Sequence, residues 1–163
     1  MTTIYTIGHS NHSGEKFVAL LMEHGVTCLA DVRSRPYSRY NPQFNRETLK
    51  QAVETAGIRY AFFGESLGGR PNDPSLYDEG NERPTYSRQR ETALYREGVA
   101  RLAALAAQAA TAMMCSEGDP ETCHRTLLIT PSLLDLGLEV QHIYPDGHLE
   151  KAEPPLEQLG LDY

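Results

Sequence analysis

The sequence predicts a single α/β domain spanning residues 1–163, three layers thick, around a mainly parallel sheet of about five strands. Three observations lead there. Short apolar runs alternate with segments whose apolar residues recur at helical spacing. Such alternation requires crossover connections, so the strands run parallel and helices cover both faces of the sheet. At 163 residues the chain can also bury a substantial core without staples.

The elements follow in order. TIYTIG (3–8) is a strand ending in glycine. SGEKFVALLMEHG is a helix, with Ser13 as N-cap, Phe17, Leu20, Leu21 and His24 at helical spacing, and Gly25 where a terminating glycine belongs. VTCLADV (26–32) is the second strand. NRETLKQAVETAG starts at Asn45, carries Leu49, Ala52, Val53 and Ala56 on one side, and stops at Gly57. IRYAFFG (58–64) is the third strand.

A polar stretch over about 65–84, rich in Gly, Pro, Asn and Asp, is long for a connection in a compact domain, and such loops are usually functional or mobile. The spacing then predicts one helix from Thr85 to Ala109. TAMMCS is the fourth strand. Asp119-Pro120 resembles a cap followed by a first-turn proline, opening a helix toward Gly137 that Pro131 should kink or divide. LEVQHIYP is the fifth strand, and DGHLEKAE turns into a short edge element.

This order has a functional consequence. Polar clusters follow every strand: GHSNHS, DVRSRPYSRYNP, GESLGGRP, CSEGDPETCHR, and His142 with Asp146 and His148. In an open parallel sheet these points lie along one edge, where ligands bind. His9, Arg33, Arg70 and Arg125 are therefore expected to line one cleft.

Charge narrows the classes. The formal net charge of −7 argues against a general nucleic-acid or membrane coat, and the alanine-rich LAALAAQAATAMM is too polar to span a bilayer. No secretory segment opens the chain, and three cysteines make no disulfide framework, so the expected compartment is the cytoplasm. Arginine outnumbers lysine twelve to three, and no acid interrupts the stretch holding Arg33, Arg35, Arg39 and Arg46. Arginine offers a planar fork suited to phosphate or carboxylate.

The stretch MMCSEGDPETCHR concentrates the chemistry. As a metal site, Cys115, Cys123 and His124 with His9 or His12 would take zinc or iron. Adjacent helical residues point about 100° apart, which opposes Cys123 and His124 serving one ion. As a thiol site, Cys123 falls in the first turns of the predicted helix, where backbone N–H groups and Arg125 favour a thiolate. The Cys-x5-Arg spacing of cysteine phosphatases is absent. Cys28 and Cys115 read as small buried apolar residues.

As an anion pocket, the sequence offers Arg33, Arg35, Arg39, Arg70 and Arg125, with Gly68 and Gly69 permitting close backbone approach. Pairing of these arginines with Asp31, Glu65, Glu117 and Asp119 is the structural alternative. His9 is a candidate acid or base, His12 a second ligand contact, and Asp31 a partner for a ribose hydroxyl, a cation or Arg33. Tyr37, Tyr40 and Phe44 interleave the arginines and could stack bases.

Taken together and in this order, GHSNHS, DVRSRPYSRYNPQFN, LGGRP and MCSEGDPETCHR resemble the domain of unknown function 488 family. The resemblance covers nearly the whole chain and implies a Rossmann-like α/β domain. It implies no established reaction, and only a slight tilt toward DNA repair.

The leading expectation is an enzyme acting on a phosphate-bearing small molecule or nucleic acid. Arginines would hold the phosphate, His9 or His124 would move protons, and Glu117 or Asp119 would orient water. With neither GxGxxG nor a P-loop present, a hydrolase or transferase fits better than a dehydrogenase. The alternatives are a binding module without turnover, and a metal or thiol-redox protein built on Cys115, Cys123, His9 and His124. No cofactor is required by the sequence.

Overall fold

A computed structural model describes residues 1–154. Its sheet has six strands in the order β3-β2-β4-β1-β5-β6: β1 Thr3–Gly8, β2 Cys28–Asp31, β3 Arg59–Phe62, β4 Thr111–Cys115, β5 Glu139–Ile143 and β6 Leu149–Lys151. The first five strands are parallel to their neighbours, and β6 is antiparallel to β5. The mixed α/β reading of the sequence therefore holds, with the edge element forming a sixth strand.

Successive side chains of each strand face opposite sides, and the core divides accordingly. Ala112 and Met114 of β4 join Phe17, Leu20 and Leu21 of helix α1 (Gly14–Glu23) and Leu49 and Val53 of α2 (Arg46–Thr55). The Met113 and Cys115 side chains join the opposite layer. That layer contains α3 (Gly64–Leu67), α5 (Ala93–Gln108) and α6 (Thr130–Asp135).

Helix ends mostly follow their sequence signals. The Ser13 hydroxyl accepts from the Lys16 N–H, and Gly25 takes the left-handed conformation that ends α1. Asn45 also flanks α2, but its side chain accepts from the Ser38 N–H, bracing the arginine loop instead of capping the helix.

Two long helices expected from spacing are divided. The stretch 85–109 forms α4 (Tyr86–Glu91) and α5, separated by Thr92 in an extended conformation. The Thr92 hydroxyl accepts from Tyr95 N–H and donates to the Gln89 carbonyl, so a local side-chain bond replaces the helix ladder there. The stretch after Asp119 forms a 3-10 turn at Pro120–Thr122, a wide π turn at Arg125–Ile129, and then α6. Pro131 follows the π turn within a continuous helical backbone, and the Leu127 carbonyl that its missing N–H would have served accepts from Arg90 Nη2 instead.

The connections place the ligand edge. Helices α1 and α2, which follow β1 and β2, pack on one layer; the segments following β4 pack on the other. Because β4 lies between β1 and β2, its outgoing chain parts from theirs at the carboxyl ends of the strands. A crevice opens at such a switch in direction.

Candidate functional site

Two adjoining cavities occupy this crevice. The larger, about 980 Å³ counted out to open solvent, is lined from the β2 loop by Arg33 and Arg35, from the β3 loop by Gly69, Arg70 and Arg83, and from the end of β4 and its loop by Cys115, Glu117, Cys123 and His124. The smaller, about 780 Å³ by the same measure, is lined by His9, Ser10 and Asn11 with Tyr37 and Ser38. Arg33, Arg35, Ser116 and Glu117 line both. Loops after four strands thus meet at one place.

Arg33 and Asp31 form the floor. Arg33 Nε donates to Asp31 Oδ1 at 2.9 Å and Nη2 to Oδ2 at 2.8 Å, with both residues buried. The Tyr60 hydroxyl donates to Oδ2 at 2.6 Å, and burial together with Asp31 pushes its pKa upward. Asp31 is thereby closed off, which corrects its reading as a ligand contact. Its carboxylate fixes Arg33, whose guanidinium still borders both cavities.

His9 has little exposure. Its ring stacks on Phe44 with centroids 4.5 Å apart, and its Nδ1 donates 2.7 Å to the Ser10 carbonyl. A carbonyl can only accept, so the proton is on Nδ1. Burial lowers the His9 pKa to about 4. Phe44 also meets Phe17 edge-on and is buried, so it packs the core and offers no face to a base.

His124 is fixed in the complementary sense. Its Nε2 donates 2.9 Å to the Val32 carbonyl, leaving Nδ1 with a lone pair 3.7 Å from Cys123 Sγ. Burial brings its pKa down to about 4. Gly69 makes room for the ring: a β-carbon there would come within 2.8 Å of His124 Cγ. The β3 loop therefore needs glycine to close over the imidazole.

The sulfurs of Cys115 and Cys123 are bonded, with Cα atoms 7.2 Å apart. Cys115 ends β4, and Cys123 lies between the 3-10 turn and the π turn, so the two return to one point across the 116–122 loop. This corrects two expectations. Cys115 is more than a packing residue, and Cys123 does not sit in the first turn of a long helix. The Arg125 backbone N–H nevertheless reaches Cys123 Sγ at 3.5 Å. Cys28 is buried and free, as expected of a packing thiol. Among the described residues, no group of three His, Cys, Asp or Glu side chains converges to hold a metal ion.

Other candidates lie elsewhere. Arg125 is wholly buried beneath the β4 loop and lines neither cavity; its Nη2 donates to the Gly118 carbonyl at 3.3 Å, while Nε and Nη1 have no partner among the described residues. Arg39 is exposed and lies over Tyr40, with its guanidinium carbon 5.1 Å from the ring centre. His12 lines neither cavity, and its Nε2 is buried without a hydrogen-bond partner among the described residues. Asp119 caps the 3-10 turn by accepting from Glu121 N–H. His142 is buried, with Nδ1 2.7 Å from the Thr6 hydroxyl, and Asp146 pairs with His148 in the β5–β6 hairpin.

Arg83 and Tyr86 also line the larger cavity, and neither stood out in the sequence. The available signal was Arg-Pro-Thr-Tyr at the end of the long polar loop, just ahead of a helix.

Fold and site together define an α/β protein with an arginine-rich, cysteine-bearing crevice at the carboxyl ends of a parallel sheet. The family model for the domain of unknown function DUF488 matches residues 13–130, and the chain belongs to that family. None of the curated proteins compared with it matches, nor does any solved structure. No helix among the described residues is long and apolar enough to cross a membrane.

Proposed function

We propose that the crevice binds a phosphate-bearing ligand, a nucleotide or a nucleic-acid end, through guanidinium groups carried by separate loops. The observation that carries this reading is the placement of Arg35, Arg70 and Arg83. All three are exposed and line the larger cavity, and none is in an ion pair among the described residues. Glu117 is the one acidic side chain in that lining. Cations lining one cavity repel one another until an anion enters, and their planar forks suit phosphate oxygens.

Aromatic surface adjoins these cations. Tyr86 shares the lining of the larger cavity, and Tyr37 is exposed beside Arg35 in the smaller one. Such faces favour a ligand with a base over phosphate alone. Turnover, as a hydrolase or transferase, would fall to Glu117 and His124 in the larger cavity and His9 in the smaller.

Thermal melting with inorganic phosphate, nucleotides and short oligonucleotides at low ionic strength tests the reading. A ligand confined to the folded form raises its melting temperature by mass action. Arg70→Lys keeps the charge and loses the fork, so affinity should fall by about 1–3 kcal/mol. No shift with any of these ligands at millimolar concentration would overturn the proposal. Binding without product formation would assign a binding module.

A further inference from the structure

We propose that Cys115 and Cys123 are a thiol–disulfide exchange couple, acting on a disulfide whose other groups are anionic and are held by Arg35, Arg70 and Arg83. The substrate's charge rests on the reading of the crevice as an anion site; the exchange step does not. Cys115 and Cys123 line the larger cavity together with those arginines, so a disulfide bound there lies beside both cysteines. Cys28, by contrast, lines neither cavity.

The surroundings of the two sulfurs differ, and the difference assigns their order of use. Cys123 Sγ faces the Arg125 N–H at 3.5 Å and His124 Nδ1 at 3.7 Å. A backbone donor favours a thiolate, and a neutral imidazole nitrogen can receive the thiol proton. Cys115 Sγ has the Glu117 carbonyl at 3.8 Å, an acceptor that suits S–H and opposes S−. Cys123 is therefore the attacking sulfur and Cys115 the resolving one. The low pKa of His124 belongs to the oxidised pair, where Cys123 is uncharged. A thiolate in its place would favour the imidazolium.

The Cys123 thiolate attacks one sulfur of RS–SR; that S–S bond breaks, and RS− leaves with the proton that Cys123 had released. The Cys115 sulfur then attacks Cys123 Sγ, and its proton accompanies the second RS−. Two electrons pass from the protein to the substrate, giving two RSH and the Cys115–Cys123 disulfide. Two equivalents of an acidic low-molecular-weight thiol run the sequence backward and restore the dithiol.

The test uses the full chain, reduced and freed of reductant, with oxidised glutathione as the anionic disulfide and hydroxyethyl disulfide as the neutral one. The expected product has lost two hydrogens, with Cys28 the remaining free thiol. Cys115→Ser should accumulate a glutathionyl adduct on Cys123, whereas Cys123→Ser should form none. Cys115→Ala serves if the serine variant does not fold. The anionic disulfide should react about tenfold faster than the neutral one, and Arg70→Gln with Arg83→Gln should erase that preference. Equal rates in the wild type would remove the anionic substrate while leaving the couple. A wild-type protein that keeps three thiols with both disulfides would overturn the couple, whatever its affinity for phosphate.

Discussion

Arg33 holds Asp31 through two parallel hydrogen bonds, 2.9 Å from Nε and 2.8 Å from Nη2, with both residues buried beneath the crevice. A buried pair of this kind costs desolvation, which geometry and a third bond from Tyr60 must offset. Removing one partner leaves the other charge exposed to a poor solvent.

Asp31→Asn should therefore destabilise the fold by about 3–5 kcal/mol, and chemical denaturation would measure it. Joint replacement by Asp31→Leu and Arg33→Met should restore much of the loss. If the double variant is no more stable than the single one, the uncompensated charge is not the cause.

Acid should unfold the protein through three histidines. Burial brings His9, His124 and His142 each to about 4, below the ordinary value of about 6.5. Between these values the unfolded chain binds more protons than the folded one. The stability is thus full above pH 6.5 and is lost as pH falls toward 4. Proton uptake on unfolding at pH 5 checks the sign. His142→Asn, which keeps a polar partner for Thr6, should flatten the dependence; an unchanged slope would exclude His142 as a contributor.

Arg125 should be more stable when replaced. Its guanidinium is buried with one long bond among the described residues, and burial lowers its pKa to about 10. Arg125→Met keeps the stem and removes the charge, and should raise stability by on the order of 1 kcal/mol or more. A lower melting temperature would show that the Gly118 bond outweighs the desolvation.

Gly8 should tolerate no side chain. A β-carbon at this position would overlap the Glu117 carbonyl oxygen and come within 2.8 Å of Arg125 Nη1. The obstruction is backbone, so Gly8→Ala must push the β4 loop away from β1. A loss of about 3 kcal/mol is expected, with weakened ligand binding because Glu117 lines both cavities. Wild-type stability would show that the loop can move without cost.

The separation of β4 from β1 and β2 by sequence, and their adjacency in space, explains what could be read early. Each strand shows itself locally, because a buried parallel strand is a short apolar run. The alternation then places every following loop at one edge, so the meeting of the Arg33, Arg70 and Glu117 loops was legible without coordinates. Breaks inside helices were less so. Thr92 ends α4 through hydrogen bonds that an apolar spacing does not encode, and the π turn at Arg125–Ile129 leaves the same periodic pattern as an ordinary helix.

The sequence by itself determined the α/β class, the strands, the caps at Ser13 and Gly25, and the side of the sheet that carries polar chemistry. These depend on neighbours a few residues apart, where periodicity and backbone preference operate. Tertiary structure alone decided which candidates share the cavities. Arg33 was drawn onto Asp31, Arg125 went beneath the loop, Arg83 came in from a distant segment, and Cys115 met Cys123. The physical reason is direction: residue order fixes which loop carries a side chain, but packing across the sheet fixes where that side chain points.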